Sequence, residues 1–366
     1  MTDTEPTHMN PASIVGSLQL LKLALTGHRA DTELAVRRVQ QCQDDVLQTL
    51  TTARLSGHFF ALAEGSSLLN AFTTTQLKSL QSAFERQRLS NLRYLELQSR
   101  LRDLLQPKGV DFLLLKGLFL GERFYGGMEQ RFMWDADILV RQRHLGQAID
   151  AAKSLGLAAT GDTLPAWALN LLRMHALEVS HRGQAVDIHW RLRNRPGYRL
   201  NYEQIWGRAQ PMVIQGEDFS VLSDEDALTL TILEIAGDME RSHIKARSLW
   251  DLYRMLRVLD VQIDWDQYLA TRQTEGVQRV AVNILQFLLL CLDCASECPN
   301  LSRSLQGYCE QMIIVKQEEA VNILHRPRQH LANRAIYARL QPKSFAVYWA
   351  WWLASAPLRF LLTRNF

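Results

Sequence analysis

Asp135 and Asp137 stand two residues apart in an apolar stretch, MWDADILV. In a β-strand that spacing turns both carboxylates to one face, while Ala136 and Ile138 face the other way. Two carboxylates so close repel unless a cation lies between them or one takes a proton. A hard divalent cation, Mg²⁺ for preference or else Mn²⁺, accepts oxygen ligands in this arrangement and keeps positions open for phosphate oxygens. A third acid, Asp187, occurs in a second apolar run, AVDIHW, with His189 two residues on and therefore on the same face. Three carboxylates on two adjacent strands suit a two-metal site, where one ion lowers the pKa of an attacking hydroxyl and the other steadies the leaving group. Asp187 could also take the hydroxyl's proton as a general base.

Upstream, LLLKGLFLG reads as a strand that ends where a helix opens, at Lys116 and Gly117. A glycine lets backbone approach a phosphate closely, a helix N-terminus favours anions, and the lysine adds a point charge. Arg131, just before the acid strand, could pair with a triphosphate oxygen, and His189 could orient an acid or contact a nucleotide. Taken singly these signals are weak, since an Asp-x-Asp at a strand end is often a turn or a cap. Their order raises them: strand, Lys-Gly helix, Asp-x-Asp strand, helix, hairpin bearing Asp.

The elements that must hold these residues follow from periodicity. Residues 14 to 107 repeat apolar positions every three or four residues, which predicts an all-helical unit with N-caps at Ser13 and Thr73 and a stop at QPKG. Over residues 108 to 222 short apolar runs alternate with helical patterns, and two alternating stretches around Arg182-Gly183-Gln184 and Gln215-Gly216 read as hairpins. From Ser223, a capping residue followed by acids, the chain is helical to residue 366. The expected class is therefore α+β: a small mixed sheet core between helical N-terminal and C-terminal units, with residues 1 to 13 disordered.

Composition narrows the partners only slightly. A chain of 366 residues, 47% hydrophobic and 22% charged, with a formal charge of +3, is an ordinary globular protein and carries no strong nucleic-acid signal. The polar N-terminus lacks the pattern of a secretory signal, so a cytoplasmic location is expected. Cys291, Cys294 and Cys298 fall at i, i+3 and i+7 and read as buried thiols on one helix face, with no fourth ligand at a usual metal spacing. The basic stretch 325 to 340 reads as a solvated helix. In the Trp-rich stretch 345 to 366 the uncharged run is only 13 residues, ending at Pro357, which is too short to span a bilayer; the stretch reads as a docked helix, or alternatively as a peripheral membrane contact.

The motifs LLLKG, DADILV and VDIHW, with the helix ARSLWDLYRML, resemble the polymerase-β-like nucleotidyltransferase superfamily, and within it a poorly characterised branch with the same three signatures. The resemblance covers about residues 108 to 260. It implies Mg²⁺ and an NTP as ligands, and transfer of a nucleoside monophosphate to an acceptor such as a small molecule, sugar or peptide. By that resemblance Asp135 and Asp137 carry the metals, Asp187 is the third acid, and Lys116 and Gly117 stand near the phosphates. Asp251 matches a recurrent acid of the branch. The spacer between Gly117 and Asp135 is longer than the wider superfamily has. A non-catalytic binding protein on the same fold, or a membrane-surface accessory protein, is the alternative.

Overall fold

The computed structural model describes residues 11–26, 43–159 and 175–320, apart from 182, 194, 196, 241–243, 315, 318 and 319, together with residue 350. Cys42, His243, the basic stretch 325 to 340 and all of the Trp-rich stretch but residue 350 lie outside the described residues.

Among the described residues four α-helices precede the sheet: α1 (Pro11–Thr26), α2 (Gln43–Thr52), α3 (Ser56–Ala63) and α4 (Thr74–Leu105). Thr73 starts α4 with a reciprocal cap, its hydroxyl accepting from Gln76 N while the Gln76 side chain accepts from Thr73 N. Ser13, expected as a cap, lies inside α1, which starts at Pro11; a proline's fixed φ suits the first helical position.

Seven strands form one mixed sheet in the order β3-β4-β5-β2-β1-β7-β6. These are β1 (Phe112–Leu114), β2 (Ala136–Val140), β3 (Ala158–Ala159), β4 (Ala176–His181), β5 (Gln184–His189), β6 (Gln210–Ile214) and β7 (Glu217–Val221). Every residue of β1 and β2 is buried, which is why these central strands read as continuous apolar runs. Both hairpins form where expected. β4 pairs antiparallel with β5, and β6 with β7 through Gln215 and Gly216, both at positive φ as a tight two-residue hairpin turn requires.

The remaining helices are α5 (Leu145–Ser154), α6 (Tyr202–Gly207), α7 (Asp224–Glu240), α8 (Ala246–Leu259), α9 (Trp265–Thr274), α10 (Gln278–Leu292) and α11 (Pro299–Gln306). Ser223 caps α7 by accepting from Asp226 N. The three cysteines are buried as free thiols, but they do not share one helix. α10 ends at Leu292 because Asp293 turns left-handed, so Cys294 and Cys298 fall in the turn beyond. Among the described residues no helix is long and apolar enough to cross a membrane.

Candidate active site

β2 and β5 run parallel, and their register sets Asp137 directly beside Asp187 and Leu139 beside His189. The apolar neighbours Ile138, Val186 and Ile188 are fully buried on the other face, so the strands are held by their hydrophobic side while the acids emerge on the opposite one. One ligand atom each from Asp137, Asp187 and His189 lies within 4.8 Å of the others. Two carboxylates with an imidazole fit a divalent cation: the oxygens suit Mg²⁺ or Mn²⁺, and the nitrogen favours Mn²⁺. Asp135 precedes β2 and lies outside that group of three, although it lines the same cavity of about 210 Å³.

Charge explains how these acids coexist. The ammonium of Lys116, at the end of β1, sits 3.0 Å from Asp137 Oδ1 and 2.7 Å from Glu234 Oε1 on α7. His189 Nε2 is 3.1 Å from the same Asp137 oxygen. Part of the positive charge that the acids require is therefore supplied by the chain, at Asp137. Burial alone would raise the Asp137 pKa, but Lys116 and His189 outweigh it and hold the carboxyl well below the usual range. Burial, then repulsion from Asp137, raises Asp135. The same two causes push Asp187 up to about 6. Glu234 stays below its ordinary value: burial works against it, and Lys116 prevails.

Gly117 is needed for its backbone. Its φ of 64° and ψ of −116° are strained for any residue with a side chain, and a Cβ there would meet Met133 Cε at 2.6 Å. The helix it opens is short, Leu118–Leu120, and passes into a π-turn, Gly121–Tyr125. The segment from Gly126 to Asp135 is then stitched down from two sides. From α4, Gln87 donates to Glu129 O at 2.6 Å, Asn91 donates to Met128 O and Arg131 O at 2.7 Å each, and the Tyr94 hydroxyl donates to Trp134 O. From α8, Asp251 accepts two hydrogen bonds from Arg131 at 2.8 Å each and one from the Tyr125 hydroxyl at 2.5 Å. Arg247 donates to Phe132 O at 3.4 Å and Arg254 to Phe124 O at 2.8 and 3.0 Å.

The cavity brings together Lys116, Arg131, Asp135, Asp137, Asp187 and His189; Gly117 is not among its lining residues but packs beside Met133, which is. Arg131, read from the sequence as a phosphate ligand, is buried with its guanidinium held by Asp251. Sequence reasoning passed over Glu234 and Asp238, Arg193, Lys245 and Arg247, and His175, all of which line the cavity. A signal existed for the first two: an i, i+4 acid pair inside the apolar stretch LTLTILEIAGDME.

A mixed sheet with carboxylates on two adjacent central strands, opening on a cavity walled by cations, is an arrangement suited to phosphate transfer with a divalent cation. A family model described as an uncharacterised nucleotidyltransferase matches residues 40–293, and the chain belongs to that family. The match extends beyond the motifs on both sides, taking in α2 to α4 before them and α9 and α10 after. No curated protein matches the chain, and no solved structure does.

Proposed function

We propose that this protein transfers a nucleoside monophosphate from an NTP to an acceptor of the small-molecule, sugar or peptide class, with Mg²⁺ or Mn²⁺. The observation that carries the reading is Asp137 set beside Asp187 across β2 and β5, inside a polar cavity, in a chain of a nucleotidyltransferase family.

In this reading Asp137, Asp187 and His189 hold a divalent cation and Asp135 adds a third carboxylate at its edge. The ion, when bound, would polarise the phosphoryl oxygens. Asp187 faces the cavity half-buried and takes the acceptor hydroxyl's proton through a carboxylate oxygen. Lys116 keeps Asp137 ionised and fixed in direction, and its pairing with Glu234 anchors the ammonium on α7. Gly117 allows the turn that brings Lys116 to the acids, and Arg131 fixes the lead-in to β2 through Asp251.

The test is a thermal-shift panel of ATP, GTP, CTP and UTP with Mg²⁺, on wild type and on Asp135→Asn/Asp187→Asn. These two acids are the right pair to neutralise. Their folded pKa values are raised, so the charged forms weaken the folded state and the amides should leave the fold intact. A nucleotide at about 100 times its Kd adds about 2.7 kcal/mol of stability. A Mg²⁺-dependent shift in the wild type that disappears in the variant is expected. No shift with any nucleotide would overturn the reading and favour a non-catalytic binding protein.

A further inference from the structure

Among the described residues, five cations line the cavity: Lys116, Arg131, Arg193, Lys245 and Arg247. They divide into two sets. Lys116 and Arg131 each lie within 3.0 Å of a buried carboxylate, Asp137 for Lys116 and Asp251 for Arg131, and Lys116 also pairs with the partly buried Glu234, so both hold up the protein's own acids. The other three are held more loosely: they lie near Asp135, Asp251, Glu234 and Asp238 but form no close ion pair among the described residues. Arg247 has a long hydrogen bond, 3.4 Å to the Phe132 carbonyl. The Lys245 ammonium is 3.9 Å from Asp238, beyond hydrogen-bond distance, with its side chain 54% exposed. Arg193 reaches His175 Nε2 at 3.4 Å, and its Nε is buried with no partner among the described residues. A buried guanidinium N–H without an acceptor is costly, and a phosphate oxygen is an acceptor suited to it.

A second feature points the same way. Lys245 is the N-cap residue of α8, Arg247 lies in its first turn, and that turn contains no acid. A helix dipole disfavours cations at this end and favours anions. Placing two bases there is unfavourable for the free protein and favourable once a multiply charged anion lies against them.

We propose that the polyphosphate of the nucleotide is bound by Arg193, Lys245 and Arg247, and not by Lys116 and Arg131. The inference rests on the transferase reading above and assigns the phosphate wall of that same cavity. Arg247 and Arg193 present forked guanidinium donors to phosphate oxygens, while Lys245 contributes a mobile point charge at the mouth. Arg247 is also the residue through which the ligand would act on the chain, because it touches the segment that leads into Asp135.

The experiment is calorimetric titration of the full-length protein, with Mg²⁺, using an NTP whose α–β bridging oxygen is replaced by methylene, and in parallel the corresponding NMP. Loss of a charged hydrogen-bond donor should weaken triphosphate binding about tenfold or more in Arg193→Ala and Arg247→Ala. The NMP affinity should be unchanged in both, and inorganic tripolyphosphate should displace the analogue from the wild type. Arg247→Ala also removes the contact to Phe132, so Lys245→Glu provides a variant at an exposed position, expected to weaken the triphosphate alone. Triphosphate affinity equal to wild type in all three variants would overturn the inference while leaving the transferase reading in place. A parallel fall in NMP affinity would overturn it too. A wild type that binds no triphosphate would sink both.

Discussion

Replacing Asp251 with alanine tests whether the acids are held in place by α8. The carboxylate and the Arg131 guanidinium are each 6% exposed at the side chain and joined by two hydrogen bonds of 2.8 Å. Removing one partner of such a pair leaves the other charge buried and alone, at a cost of about 3–5 kcal/mol. The Tyr125 hydroxyl, which donates to the same carboxylate, loses its acceptor as well. Urea unfolding followed by circular dichroism reads this as a fall in midpoint at constant slope. The companion variant Arg131→Met/Asp251→Leu/Tyr125→Phe removes all the polar partners together and should recover most of the loss, since apolar replacements of buried pairs are often neutral or better. Acid provides a further check. Burial opposes ionisation of Asp251, but Arg131 prevails and its folded pKa lies below the ordinary 3.8. The pair's contribution is therefore fully present above the unfolded value and is lost as pH falls through the folded one. The wild type and Asp251→Ala should thus differ most near neutrality and converge in acid. A loss under about 1 kcal/mol in Asp251→Ala, or a difference that persists at low pH, would refute the account of Arg131 and Asp251 as a buried strut.

Two further substitutions probe the Lys-Gly turn. Gly117→Ala should cost about 1–3 kcal/mol through backbone strain, and adding Met133→Ala should not restore it; full recovery in the double variant would mean that collision with Met133, not φ, is the constraint. Lys116→Met leaves the buried Asp137 and the partly buried Glu234 without their shared cation, and should destabilise by about 3 kcal/mol in the absence of metal. Millimolar Mg²⁺ should return part of that stability in a thermal shift, because the ion replaces the missing charge beside Asp137; a variant as stable as wild type without metal would show that the ammonium contributes nothing there.

Much of the site was legible because its residues lie on short elements with clear periods. DADILV and VDIHW each place acids against an apolar face, and alternation alone predicts that Asp137 and Asp187 emerge from buried strands. Tight turns were legible for the same local reason: Gln215-Gly216 and the Thr73 cap are decided within four residues. Partners across the fold were not. Nothing in LLLKG says that Lys116 will lie between Asp137 and Glu234, the latter 118 positions further on, and a lysine before glycine looks equally apt for a phosphate. Arg131 misled for the same reason, since a sequence shows that a cation is present but not whether a carboxylate already holds it. The cysteine stretch failed through one residue, Asp293, whose left-handed turn no periodicity reveals.

The spacer between Gly117 and Asp135, longer than the wider superfamily has, is anchored along its length. Ordering each residue of a free loop costs about 1–2 kcal/mol, so a segment of this length keeps its acids in place only if anchored at many points. α4 supplies such anchors on one side through Gln87, Asn91 and Tyr94, spaced so that they share one helix face. α8 supplies them on the other through Arg247, Asp251 and Arg254, spaced the same way. This gives a physical reason for the family match to begin upstream of α4 and run past α8. The helical flanks position the acids as surely as the strands do. Mutations at Gln87, Asn91, Tyr94 and Arg254, none of which lines the cavity, should therefore impair the site without altering any group that touches its ligand.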